Sequence, residues 1–393
     1  MSIPSVFKGG VNDYPQEAVP FLRALGAPDV AALGSWAAEA RPDARWAEWL
    51  LRQQLAPFAF CRLRQACALA RLPAEFIGAL RGIYYNAVGD AVLHTRELAD
   101  ALDVLAAAGV TPVLFKGAVL AYTAYPDPSC RPMGDLDLWI DLDAMPQTQA
   151  ALESLGYVQR LKAERPVALQ AQREGEIQLV GRAPGSGLIE LHWGVFAGEW
   201  LHRAAAVDTV GIRGRAVSVT VAGQPAWMLA PEDAIIQLAA HLAVSHQMAA
   251  PGLRGLLDVA LLARSQPVDW LTVVERAHRW RVAAAAWLVL DLADTLFGLP
   301  DAGAAIAGLK PGRVRRSLLG RFADPDSMLA GRDPRHGPRR FIYQLLLVDH
   351  TRDAARLLWR ALWPEDAWLA ARYGSATPAV RRSHLLSALR GRV

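Results

Sequence analysis

Three prolines, Pro126, Pro128 and Pro132, separate a helix-forming run from an apolar strand-forming run, and they limit what the middle of this chain can become. Proline cannot continue a helix and fixes its own backbone angle, so LFKGAVLAYTAYPDPSCRPMGDLDLWIDLD, from Leu114 to Asp143, must be built as short pieces around a stiff turn. The stretch opens with Lys116-Gly117 after the apolar Val113, Leu114 and Phe115. Gly117 is expected to start a helix reaching about Tyr125, whose first free N–H groups make an anion site. After the turn, Gly134-Asp135-Leu136-Asp137 runs into Leu138-Trp139-Ile140. On a strand from Leu136 to Ile140, Asp135 and Asp137 point to one face. Neighbouring carboxylates repel unless a cation lies between them, and a hard divalent ion with oxygen ligands is the usual solution. Lys116 and Arg131 suit a phosphate-bearing substrate, so the pattern points to metal-assisted phosphate chemistry.

A lone Asp-x-Asp is equally the mark of a solvated strand face or a helix cap. Asp143 reads as the cap of a helix through Leu155 that Gly156 ends, and Asp141 as a strand-end residue. A calcium-binding loop is excluded, because Ile140 stands where its turn glycine belongs and Pro146 where its bidentate Glu belongs.

The Lys-Gly followed by YPDPSCRPMGDLDLWI resembles the signature of the uncharacterised nucleotidyltransferase family of the polymerase-β-like superfamily. Its members carry a Lys-Gly, a Tyr-Pro-rich connection, an Arg-Pro-x-Gly-Asp-x-Asp segment and, further on, Glu-Leu-His-Trp, here Glu190-Leu191-His192-Trp193. The specific part of the likeness runs from Leu114 to Trp193. It implies transfer of a nucleoside monophosphate from a nucleoside triphosphate to an acceptor, with Mg2+ or Mn2+ as cofactor. By the same resemblance Asp135, Asp137 and Glu190 are the catalytic and metal-binding residues, and Lys116, Gly117, Arg131 and Gly134 contact the nucleotide. Glu190 rests on the resemblance, since spacing only permits it. The chain departs from the wider superfamily at Ala118, which has no hydroxyl to hold a phosphate. That departure supports a second reading, a catalytically weak nucleotide-binding or partner-binding regulator that retains the fold. The acceptor is open among small molecules, peptides and proteins; the basic C-terminal tail reads as a solvated surface, with nucleic acid only as the alternative to it.

The rest of the chain reads as an α+β protein: a small mixed β-sheet nucleotidyltransferase core flanked by N-terminal and C-terminal helical regions. The expected divisions are a helical region over 1–105, the core over 106–228, a helical bundle over 229–308 and a basic helical tail over 309–393. Val113 to Phe115, Glu176 to Val180 and Leu188 to His192 are expected as further strands, the last two joined by the turn GRAPGSG, with Glu190 and His192 on one face. Arg96, Glu97 and Asp100 read as a solvated helix face. His241 and His246, five apart, are not expected to share a helix face as metal ligands would, and Asp258 reads as a satisfied buried acid or a support behind the site. The cysteines, Cys61, Cys67 and Cys130, are few, odd in number and without metal-ligand spacing, and the first two read as buried thiols. From Pro311 onward 16 Arg face 7 Asp plus Glu, so the tail carries more positive charge than the whole chain's net of +4. Within it DPDSMLAGRDPRHGPRR reads as an exposed loop and FIYQLLLVDHTRDAARLLWRALW as one amphipathic helix. VAAAAWLVLDLADTLFG is the most apolar run, but Asp291 and Asp294 break it, so a buried helix is expected rather than a membrane span. MSIPSVFKGG lacks a signal-peptide core, and a cytoplasmic location is the expectation.

Overall fold

The computed structural model describes residues 14–160, 175–182, 186–196 and 198–389. The N-terminal decapeptide and the centre of the GRAPGSG turn lie outside these. The protein is α+β: a mixed sheet with helices from both ends of the chain packed around it. The strands are β1 (Val113–Leu114), β2 (Leu136–Trp139), β3 (Tyr157–Arg160), β4 (Glu176–Gly181), β5 (Leu188–His192), β6 (Val217–Val221) and β7 (Gln224–Met228). Their order across the sheet is β3-β4-β5-β2-β1-β7-β6. β2 lies at the centre, antiparallel to β1 and parallel to β5, and the β2/β5 register sets Asp137 directly opposite Glu190. Both central strands are short and largely buried, which suits their run of Leu, Ile and Trp. The hairpin β6–β7, not anticipated from the sequence, turns through Ala222 and Gly223, both at positive φ, the conformation that two-residue hairpin turns require.

A helix from Ala74 to Ala107, about 50 Å long at 1.5 Å per residue, packs against the helix Ala56–Gln65, the turn Pro128–Cys130, the helix Met145–Ser154 and β7. It is the wall behind the proline-rich connection. On the other side the apolar run expected to be a buried helix is one, Ala283–Phe297, enclosed by helices Ala18–Gly26, Pro231–Ala240 and Gly252–Ser265. Among the described residues no helix is long and apolar enough to cross a membrane.

Several local expectations need correcting. Asp143 caps nothing: it sits exposed in a short turn, Leu142–Ala144, and the helix begins at Met145 with Pro146 in its first turn. Glu97 is not solvated, since it accepts hydrogen bonds from Tyr157 Oη at 2.9 Å and from the Gly187 N–H, and pairs with His94 at 3.2 Å. Cys67 is exposed, at a backbone φ of 50° beyond the end of its helix, whereas Cys61 is buried. The segment expected as an exposed loop holds a helix, Pro325–Ala330, opened by an Asp324–Ser327 capping box, with Met328 and Leu329 buried.

The expected single C-terminal helix is two, Gly337–Leu346 and Thr351–Leu362. The break has a physical reason. Asp349, in the connection, accepts hydrogen bonds from the Ala283 and Ala284 N–H groups at 2.7 and 2.9 Å, so it caps the first turn of the buried helix Ala283–Phe297. An uninterrupted helix could not deliver that carboxylate. Asp349→Ala is therefore expected to lower unfolding free energy by about 1–2 kcal/mol, the range for losing a helix cap. Denaturant titration of the two proteins would measure it, and an equal midpoint would show the bonds to be incidental.

Candidate active site

Gly117–Thr123 forms the short helix expected after β1, and Lys116 precedes it at φ 53°, ψ −131°, a conformation that side-chain-bearing residues avoid. That backbone turns the lysine toward β2. Its Nζ lies 2.6 Å from Asp137 Oδ1 and 5.2 Å from the centre of the Phe115 ring, over whose face it sits. Phe115 also meets the His192 ring edge-on at 4.8 Å, and His192 Nε2 stands 2.9 Å from the same Asp137 oxygen. On β5 Glu190 faces the same side. Its Oε1 accepts from Gln178 Nε2 at 2.7 Å, and its Oε2 lies 3.7 Å from His192 Nε2, beyond hydrogen-bond length. Asp137, Glu190 and His192 thus offer ligand atoms that all lie within 4.8 Å of one another. Asp135 lines the same cavity beside them.

Burial penalises the charge on Asp137, but Lys116 and His192 outweigh it and hold the carboxyl well below the usual range. Burial also works against the Lys116 ammonium, yet Asp137 and Glu190 keep its pKa above the ordinary lysine value. Asp135 and Glu190 move the other way. Burial raises both, reinforced by Asp137 for the first and by Glu176 and Asp137 for the second. The carboxylates outnumber the one ammonium among them.

The buried donor set fits a divalent cation. Two strand carboxylates stand side by side in register, a lysine ammonium already lies against Asp137 as a cation would, and His192 turns Nε2 to the pair while its buried Nδ1, on the Glu176 side, has no hydrogen-bond partner. That nitrogen does lie 3.4 Å from Glu176 Oε2, near enough for attraction but not aligned for a hydrogen bond. Carboxylate oxygens are what Mg2+ and Mn2+ prefer.

The site opens into a cavity of about 1010 Å³. Arg131 lines it, but its guanidinium is held by Asp258 through two bonds, Nε–Oδ1 at 2.9 Å and Nη2–Oδ2 at 2.8 Å, with Tyr125 Oη donating to the same carboxylate at 2.7 Å. All three are buried. Gly117 is required here, because a Cβ would overlap Arg131 Nη1. A Cβ at Gly134 would meet no other protein atom within 4 Å, so its open side belongs to the cavity.

Three cavity groups carried no signal strong enough to be chosen from sequence. Arg254, four residues before Asp258 on the helix Gly252–Ser265, donates to the Pro132 carbonyl at 3.1 Å while its buried Nε has no partner. The i, i+4 spacing of Arg254 and Asp258 was the available clue. His241 and His246 were expected on different faces, and the structure overturns this. The helix Pro231–Ala240 continues as a π-turn, His241–Ser245, whose wider winding brings the two rings edge-on at 4.5 Å. Tyr343, from the C-terminal helices, donates to the Ala243 carbonyl inside that turn at 2.9 Å. Burial first, then Lys116, depresses His241; His246 is exposed at the cavity rim, and loss of solvent on its protein side, then Lys116, lowers it as well.

A family model described as uncharacterised nucleotidyltransferase matches residues 41–298, and the chain belongs to that family. Its assigned chemistry is nucleotidyl transfer. No curated protein and no solved structure matches the chain.

Two outcomes are expected. Asp258→Ala leaves the Arg131 guanidinium buried without its carboxylate and should cost about 3–5 kcal/mol, the range for breaking a buried pair. Arg131→Met in the same chain should recover much of this in denaturant titrations, and a double variant no more stable than Asp258→Ala would contradict the pairing. The second concerns pH. His246 is pushed down to about 4 from an ordinary 6.5. Between those values the unfolded chain binds a proton that the folded site refuses, so stability falls as pH falls through the window and is unaffected above it. His246→Gln should flatten that slope in melting curves, and an unchanged slope would show that the ring takes up its proton freely in the cavity.

Proposed function

We propose that the protein transfers a nucleoside monophosphate from a nucleoside triphosphate to an acceptor, with Mg2+ or Mn2+ as cofactor. The observation supporting this most is the in-register pairing of Asp137 with Glu190 at the floor of a cavity that also holds Lys116, Arg254 and Gly134. Asp135, Asp137 and Glu190 would hold the metal, which supplies positive charge for the phosphates and makes an acceptor hydroxyl more acidic. The acceptor oxygen forms a bond to the α-phosphorus while the bond from that phosphorus to the bridging oxygen breaks. Pyrophosphate leaves with the electron pair. Glu190 takes the acceptor's proton, because burial and its acidic neighbours make it a stronger base than Asp137. Gln178 and His192 keep the two carboxylates in place meanwhile. Arg254, with its unpartnered Nε, gives the phosphates the contact that Ala118 cannot.

Lys116 has two places to be. At rest its ammonium is the counter-cation of Asp137. When a triphosphate enters, Nζ exchanges that carboxylate for phosphate oxygens, which leaves Asp137 and Glu190 open together. The protein is therefore expected to bind Mn2+ weakly alone and much more strongly with a non-hydrolysable triphosphate. Lys116→Met should bind Mn2+ alone roughly tenfold tighter, about 1.4 kcal/mol, and lose most of the synergy, as read by isothermal titration. Equal Mn2+ affinity in the two proteins would remove Lys116 from this role. Glu190→Gln should keep the fold while turnover drops by roughly 4 kcal/mol or more, three orders of magnitude at 1.36 kcal/mol per tenfold. Pyrophosphate release from labelled triphosphates across candidate acceptors would measure it; undiminished release would exclude Glu190 as the base.

A further inference from the structure

Behind the catalytic floor a second group of ligand-type side chains meets, and nucleotidyl transfer makes no use of it. Cys61 comes from the helix Ala56–Gln65, and Asp127 and Cys130 from the turn that carries the chain from the short helix Gly117–Thr123 into β2. Their sulfur and oxygen atoms all lie within 4.8 Å of one another. Asp127 is pinned for the task. Its Oδ1 accepts from the Ser129 N–H at 3.0 Å and from the Ser129 hydroxyl, which aims Oδ2 at both sulfurs, 3.5 Å from Cys130 Sγ and 3.9 Å from Cys61 Sγ. Two of the three cysteines in the chain thus converge on one carboxylate oxygen, from positions 69 apart in sequence. Both are buried, while Asp127 is only half-buried, so solvent reaches the carboxylate side.

We infer that Cys61, Asp127 and Cys130 form a binding site for a thiophilic divalent cation, Zn2+ by its chemistry, separate from the Asp137–Glu190 site. Two thiolates and a carboxylate are a set that zinc takes in tetrahedral coordination, with water completing the fourth position. Sulfur ligands also separate the two sites chemically: Mg2+ and Mn2+ prefer the oxygens of Asp135, Asp137 and Glu190, and zinc prefers the thiolates. Binding replaces the two S–H protons by the ion and releases them to solvent. The consequence is mechanical. Cys130 adjoins Arg131, and the turn packs against the helices Ala56–Gln65 and Ala74–Ala107, so a bound ion fastens the N-terminal helices to the connection that delivers Arg131 and Asp135 to the cavity.

The test uses Co2+ as the spectroscopic substitute for zinc on the full-length, metal-stripped protein under a non-thiol reductant. The wild type is expected to develop an intense thiolate-to-cobalt charge-transfer band that saturates at one ion per chain and is bleached by one equivalent of Zn2+. Cys61→Ser and Cys130→Ser should each lose most of that intensity, and Cys67→Ser, whose thiol is exposed elsewhere, should keep it. The Asp137–Glu190 site has no sulfur and is silent in this band, so failure here leaves the nucleotidyltransferase reading untouched. Absence of the band in the reduced wild type overturns the inference whatever the variants do. So does a band that survives in both single variants. Recovery of an intramolecular Cys61–Cys130 disulfide together with no cobalt band after reduction would assign the pair to redox chemistry instead.

Discussion

Two carboxylates face each other on adjacent parallel strands in the interior, and the neighbourhood is arranged to make that tolerable. Burying a charge is expensive unless it is paired, and burying two of the same sign side by side is more so. The register of β2 and β5 nevertheless sets Asp137 opposite Glu190. Lys116 answers this at a cost of its own. To bring Nζ to Asp137 the backbone adopts φ 53°, a strain of about 1–3 kcal/mol for a residue with a side chain. His192 and Gln178 hold the two carboxylates from the sides, and Phe115 braces both Lys116 and His192. Strain of this kind persists only where the surroundings fix it, and here the Asp137 carboxylate and the Phe115 ring do so.

The family match ends at residue 298, but the cavity does not. Its outer wall includes Arg340, Leu358, Arg360, Trp368 and Arg372 from the C-terminal helices. Two of the contacts that couple those helices to the core reach well past the surface. Tyr343 bonds the π-turn behind His241 and His246, and Asp349 caps the buried helix Ala283–Phe297. The tail's charge is partly paired at its seams: Arg360 pairs with Glu365 at 2.7 Å within the tail, and the tail's buried Asp353 receives Arg281 from the preceding bundle at 3.1 Å.

What the sequence disclosed is what local chemistry determines. The proline-rich break, the helix opened by Gly117, the strand carrying Asp137 and the strand Leu188–His192 all follow from residue type and period, and each is found within a residue or two of its expected bounds. The α+β class and the family follow from the same stretch. What stayed hidden depends on contacts between segments far apart. Asp349 looks like a helix residue until the unsatisfied N–H groups of Ala283 and Ala284 are placed beside it. His241 and His246 look mismatched until the helix widens into a π-turn. Cys61 and Cys130 share no local spacing, because their meeting is a product of tertiary packing. Arg254 has only its i, i+4 spacing to Asp258 to mark it in sequence, and the fold shows its Nε buried and unpartnered in the cavity.

The most direct measurement is the anomalous scattering of Mn2+ in crystals grown with a non-hydrolysable nucleoside triphosphate. The expected map has a manganese peak bonded to Asp137 and Glu190 carboxylate oxygens at about 2.0–2.3 Å, the span of divalent metal–oxygen bonds, with Lys116 Nζ turned from Asp137 to a phosphate oxygen. A triphosphate bound with no manganese at these carboxylates, and Lys116 still on Asp137, would contradict the account.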